Sequence, residues 1–154
     1  MVTRNFIKMI NSVLGSSSYS GKDINNADAS QCRNDISSYI KEFTTSSVAT
    51  SSGTLSIGSG TTLPSINDYK LENMIDIRPK MINFLLDANG YTLITATFTN
   101  ETEETLSVSE VGLFHITKGN SMSSPVYIVL LAREVFNTIN LAPGETITVT
   151  MRLF

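Results

Sequence analysis

The sequence predicts a mainly β fold: an antiparallel β-sandwich or jelly-roll-like domain, preceded by an N-terminal amphipathic helix and a polar arm. Three observations carry this expectation. From Thr54 onward, short β-branched segments alternate with turn signals. Asn89-Gly90, a strong hairpin signal, separates two of these segments. No strand–helix–strand alternation appears after residue 54, so a parallel sheet has no crossover helices.

Taken in order, Val2 to Leu14 reads as a helix. Val2, Phe6, Met9, Ile10 and Val13 fall on one apolar stripe, and Gly15 suits the residue just past a helix end. A helix this short is marginal alone and must dock, either on its own domain or on a neighbouring subunit. Residues 15–31 are polar and turn-rich and read as a linker or extended arm. The boundary is drawn there: residues 1–31 as helix and arm, residues 32–154 as the β-domain. Ile36, Tyr39, Ile40 and Phe43 fit a helical face, while the following β-branched context favours strand. Residues 44–53 read as loop or edge strand.

Leu55 and Ile57 then alternate with polar neighbours. Residues 80–86 and 91–100 form the two arms of the Asn89-Gly90 hairpin. In the second arm, Ile94, Ala96 and Phe98 share one face, and Thr95, Thr97 and Thr99 the other. Residues 105–117 form another strand, with Gly112 as a bulge or point of close approach. Residues 118–125 read as an exposed loop. Residues 126–136 are the most apolar run and read as a central strand. Pro143-Gly144 makes a turn, and a last strand places Ile147, Val149, Met151 and Leu153 on one face.

The totals narrow the function. The chain has 154 residues, is 41% hydrophobic and carries 16% charged residues. That is enough for one core, but charge falls well below the roughly 25% usual for soluble domains. Serine and threonine fill the gap, which suits β-structure within a large assembly. Eleven Lys+Arg against 14 Asp+Glu give a net charge of −3. With no basic block, nucleic-acid binding has no electrostatic basis. No apolar run reaches the ~18 residues of a membrane span. Residues 1–15 make a poor signal core because Asn5, Asn11 and Ser12 interrupt them. The expected place of synthesis is a cytoplasm.

One stretch, Gly53 to Glu72, raises a chemical question. Its Gly58-Ser59-Gly60-Thr61-Thr62 evokes a phosphate-binding loop. Such a loop needs a lysine followed by Ser or Thr after the second glycine, then a helix N-terminus. Here Gly60 is followed by Thr61, Thr62, Leu63 and Pro64. The segment therefore reads as a strand exit and a structured crossover, with Asp68 capping a turn and Tyr69 and Leu71 pointing to the core.

Residues 58–72, "GSGTTLPSINDYKLE", resemble an element of small virion proteins of tailed bacteriophages. The match falls on Gly58, Gly60, Thr61, Thr62, Pro64, Asp68, Tyr69, Leu71 and Glu72. A second match follows at Asn100 and Glu110-Val111-Gly112-Leu113, and a third at "LLAREVFNTINLAPGETITVTMRL". The three cover about the C-terminal two-thirds, and residues 1–31 lie outside them. The resemblance implies a tail, collar, adaptor or fibre-attachment component located in the virion. Its partners would be other virion proteins and copies of itself, with no cofactor and no catalytic motif. The alternative is a receptor- or carbohydrate-binding fibre-tip module. Against it stand 8% aromatic residues, no tryptophan, and phenylalanines mostly in core-like strands.

The remaining chemistry is sparse. His115, the single histidine, lies in an apolar strand with no placed nucleophile, so it reads as structural or surface. Cys32 is the single cysteine and cannot form an intrachain disulfide. Glu101, Glu103 and Glu104 read as an acidic hairpin tip, since calcium-loop spacing is missing. Glu110 and Arg133 interrupt apolar strands. They either pair with each other, face solvent, or make an inter-subunit contact. With Phe6, Ile10 and Val13 of the helix, they are the candidate assembly residues.

Overall fold

The computed structural model describes residues 1–4, 20–22, 24–30, 53–86, 88–118 and 126–153. The elements among them are all β-strands, and every pairing is antiparallel. β1 (Ser20–Lys22) and β2 (Asp28–Ser30) form a small ribbon. β3 (Gly53–Gly58), β6 (Leu106–Lys118) and β7 (Val126–Leu141) form a first sheet in the order β3-β6-β7. β4 (Met81–Leu86), β5 (Thr92–Thr99) and β8 (Thr146–Leu153) form a second, in the order β4-β5-β8.

The second sheet follows the period-two pattern of its strands. Ile94, Ala96 and Phe98 of β5 are buried, as are Val149 and Met151 of β8. Thr146, Thr148 and Thr150 face out, half-buried Thr95, Thr97 and Thr99 lie opposite them, and the ladder runs unbroken from Thr92↔Leu153 to Thr99↔Thr146. Because each strand alternates, this register puts threonine beside threonine and apolar beside apolar. Hydroxyl pairs Thr95–Thr150 and Thr99–Thr146, both at 2.9 Å, follow from it. Gly90, at φ 84, closes the β4–β5 hairpin in the left-handed region that the Asn-Gly signal anticipates.

Both sheets feed one apolar core. Leu55, Ile57, Val108, Val111, Leu113, Val129 and Leu131 from the first meet Ile94, Phe98, Val149 and Met151 from the second. Each fully buried large side chain is worth roughly 1.5–3 kcal/mol. A smaller cluster, Leu71, Phe114 and Leu130 with Ile24 and Ile128, lies apart from it.

That second cluster explains β7, whose position corrects the sequence expectation. The central strand is β6; β7 lies at the end of the strand order. Its run is apolar on both faces because two layers cover it. Val129 and Leu131 enter the common core, while Leu130 packs with Leu71 and Phe114. The β6–β7 ladder shifts register between Val108 and Glu110 and again between Leu113 and Phe114. Gly112, between the two shifts, is a point of close approach. A Cβ there would lie 2.8 Å from Leu71 and 2.9 Å from Leu130 and Phe114.

The free edge of β7 is covered by the first residues of the chain. Val2 bridges Ala132, Thr3 N–H donates to the Leu131 carbonyl at 2.8 Å, and Arg133 N–H donates to the Met1 carbonyl at 3.0 Å. The buried Thr3 hydroxyl donates to the Leu130 carbonyl at 2.7 Å. Val2 and Thr3 are thus extended rather than helical, since β7 offers them an edge to pair with, while Arg4, next in the chain, is helical. The rest of that helix, with Phe6, Ile10 and Val13, lies outside the described residues, as do Cys32 and residues 31–52.

Burial of β7 on both faces sets a strong expectation for Leu131→Asp. An unpaired carboxylate in the common core costs several kcal/mol, comparable with the whole stability of a domain of this size. The variant is expected to lose its cooperative thermal transition and its near-ultraviolet circular dichroism.

Candidate functional site

The site is a buried carboxylate under the glycine-rich crossover. Glu110 sits on β6 opposite Gly58 of β3 and Val135 of β7, just past the first register shift, with its side chain fully buried. A carboxylate without water must be fully hydrogen-bonded. Its Oε1 accepts from Gly60 N–H at 3.0 Å and Asn73 N–H at 2.9 Å. Its Oε2 accepts from Glu72 N–H at 3.1 Å and from Arg133 Nε at 2.8 Å. Two carboxylate oxygens offer about four acceptor positions, and four donors fill them.

The glycines are required by this arrangement. A Cβ at Gly58 would lie 2.5 Å from Glu110 Oε1 and 2.6 Å from the Asn73 carbonyl oxygen. One at Gly60 would lie 2.6 Å from Glu72 Cβ and 2.7 Å from Glu110 Cδ. The stretch that resembled a phosphate loop does cradle an anion with its backbone, but the anion is the chain's own glutamate. The Ser109 hydroxyl fixes the same turn by donating to the Gly60 carbonyl at 2.9 Å.

Arg133 joins two more carboxylates to the cluster. Its Nη1 donates to Asp68 Oδ2 at 2.9 Å, and its Nη2 lies 3.6 Å from Glu72 Oε2 with no hydrogen-bond partner among the described residues. Burial disfavours the charged guanidinium, but hydrogen bonds to Asp68 and Glu110 outweigh it and raise its pKa above the ordinary value. Asp68 also accepts Ser65 N–H at 2.9 Å, the turn cap expected of it. Glu72 accepts Thr61 N–H, Thr62 N–H and the Thr62 hydroxyl, each at 3.0 Å. Those Thr62 bonds, backbone first, hold its carboxyl below the usual value of 4.5.

A recess of about 260 Å³ opens beside this cluster, lined by Thr62, Asn67, Tyr69, Lys70, Glu72 and Arg133 among others. Asp68, Glu72 and Glu110 outnumber the two cations, Arg133 and Lys70, so the cluster carries a net negative charge. Glu110 has no spare acceptor position for proton transfer, and the geometry acts as a clamp.

A second polar corner lies at the far end of β5. Asn100 is fully buried, and its Nδ2 donates to the carbonyls of Glu104 and Leu141, both at 2.8 Å. Its Oδ1 accepts from the Thr102 backbone at 3.0 Å and hydroxyl at 2.7 Å. Its main chain bonds Gly144 and Glu145, so one asparagine joins the end of β5 to the β7–β8 turn. Gly144 there has φ 78.

Of the sequence candidates, Glu110 and Arg133 come together and pair with each other. Their side chains are 0% and 4% exposed and are taken up inside the chain. Phe6, Ile10 and Val13 lie outside the described residues. His115 is buried in β6 opposite Gly53 and Val129. Glu101 pairs with Lys80 at 2.8 Å, and no acidic, His or Cys cluster suited to a metal occurs among the described residues. The sequence reading did not find that Asp68, Glu72 and the backbone of Asn73 converge on the same pair. The signal was available: a lone acid in an apolar strand needs donors, and a glycine-dense segment can bring backbone N–H groups close. In comparisons with known proteins, no family model and no curated protein matches the chain.

Two outcomes follow. Gly60→Ala, whose added methyl meets Glu72 and Glu110, is expected to destabilise by about 1–3 kcal/mol. Gly90→Asn is the control in denaturant melts: no atom lies near it and asparagine tolerates the left-handed region, so it costs within about 1 kcal/mol. The second concerns acid. Glu72's folded pKa is depressed, so its stabilisation is present above its unfolded pKa and is lost as pH falls through the folded value. Below pH 4.5 the wild type is expected to lose stability more steeply than Glu72→Gln, as chemical denaturation from pH 6 downward will show.

Proposed function

We propose that this chain is a structural subunit of a tailed-phage virion, a rigid β-sandwich that works by assembling into a tail, collar, adaptor or fibre-attachment ring. One observation carries the reading. The three segments that resemble phage virion proteins, far apart in sequence, meet at two buried polar joints. Gly58, Gly60, Asp68 and Glu72 of the first segment, Glu110 of the second, and Arg133 of the third build the clamp. Asn100 of the second segment and Gly144-Glu145 of the third build the corner. These six and three residues form two contact sets, which supports the reading.

The residues that support the resemblance are therefore those that hold the body together, as expected of a protein whose task is shape. The outward threonines of β8 are neutral, whereas an isolated soluble domain usually carries roughly 25–35% charge on its surface. Attachment would fall to Phe6, Ile10 and Val13, the apolar stripe beyond the four residues tied to β7 and Ile66.

Replacing Phe6 and Ile10 together by serine tests this. The melting temperature is expected to stay within a few degrees, while occupancy in purified particles, read by mass spectrometry, falls sharply. Normal occupancy would overturn the attachment role; a lowered melting temperature would assign the stripe to the domain's own core.

A further inference from the structure

The two sheets treat their edges differently. In the first sheet, β3 is covered where Ser59 N–H donates to Asn73 and Ile75 N–H to Ile57, both at 2.9 Å. β7 is covered by Met1–Thr3 and by Ile24, whose N–H donates to Ile128 at 2.9 Å. In the second sheet, among the described residues, no backbone group bonds along the outer edge of β4 or β8. β4 is guarded at its start by Pro79 and Lys80, two residue types that blunt an edge. β8 runs eight residues, Thr146–Leu153, with no proline, lysine or register shift, and its one charge is Arg152. A long regular strand whose outer N–H and C=O groups no described residue pairs is a template for another strand.

We propose that the outer edge of β8 pairs with β8 of a second copy of this chain, antiparallel about a two-fold axis. This deepens the assembly reading and rests on it. In antiparallel pairing, directly opposed side chains share a face, so a self-pair must match residues of equal parity. With Val149 opposite Val149 of the second copy, Thr148 faces Thr150 and Ile147 faces Met151. The threonine face and the apolar face both continue across the axis. The hydroxyl ladder already formed by Thr95–Thr150 and Thr99–Thr146 gains a third column. Arg152 falls opposite Thr146 of the second copy, one residue from that copy's Glu145, so opposite charges approach and like charges do not. The result is a continuous six-strand sheet, an isologous contact that closes at two copies.

The test uses the full chain, with reductant present to exclude a Cys32 disulfide. Sedimentation equilibrium of the wild type is expected to show a concentration-dependent dimer, with amide exchange along β8 slowing as concentration rises. Thr148→Lys with Thr150→Lys sets like charges opposite each other twice and is expected to weaken dimerisation roughly tenfold. Thr148→Glu with Thr150→Glu should do the same, and mixing the two variants should restore the dimer. A wild type that stays monomeric, variants that dimerise as well as the wild type, or a mixture that is not rescued would each overturn the proposal. So would species growing beyond two copies, the mark of β8 meeting β4 head to tail. Particle occupancy of the wild type separates the readings. A monomeric wild type still found in particles ends the edge proposal alone, whereas absence of the chain from particles ends the assembly reading.

Discussion

The fold depends on one buried ion pair. Glu110 and Arg133 meet at 2.8 Å on the face of the first sheet that points away from the second. A carboxylate there is tolerable only if all its acceptor positions are filled, because an uncompensated buried charge costs several kcal/mol. The sheet supplies one donor, Arg133. The other three are backbone N–H groups of Gly60, Glu72 and Asn73, so the crossover between β3 and β4 must fold down over β6. Once it does, Leu71 seals the second cluster against Phe114 and Leu130, and Asn73–Ile75 cap the edge of β3. Gly112 leaves room for Leu71, and Gly58 and Gly60 leave room for the carboxylate. An apolar pair at positions 110 and 133 could fill the same volume, but it would supply no acceptor for three backbone N–H groups.

What the sequence revealed follows from how local each signal is. β5 and β8 were legible because one face is core and the other solvent, so alternation alone reports them. β7 misled because its apolar run is continuous: two layers bury it, and a run covered on both faces looks the same at the centre of a sheet as at its margin. Val2 fitted a helical stripe, yet it pairs with Ala132, 130 positions away, because the margin of β7 left hydrogen bonds to be made. The charges in apolar strands were visible as anomalies. Their partners were not, since three of the four donors to Glu110 are main-chain groups, which carry no residue identity.

Clamp and corner also divide the labour of the two sheets. The first sheet is closed: its outer face is covered by the crossover, and both margins are capped by irregular segments. The second has polar threonines on its outer face, half-buried on β5 and exposed on β8, and no described segment caps its margins. Closing an edge requires a segment of chain held in place, and here residues 1–3 and 73–75 are held by backbone hydrogen bonds and, in the second case, by the buried carboxylate. Among the described residues no segment caps β8, and the Pro143-Gly144 turn before it is fixed by Asn100.

This placement of charge bears on assembly. The chain's charged residues are few, and three carboxylates and one arginine of them are spent at the clamp. The outer face of β8 is left with three threonines and Arg152, and each threonine offers a hydroxyl that both donates and accepts and a methyl that tolerates burial. Such a surface loses little on desolvation compared with lysine or glutamate, whose burial without partners is costly. It also gives little electrostatic steering, so encounter would be slow and the contact would gain from high local concentration, as when many copies collect on one particle. A body stiffened by an internal ion cluster and finished mainly with hydroxyls fits the proposed place among many neighbours.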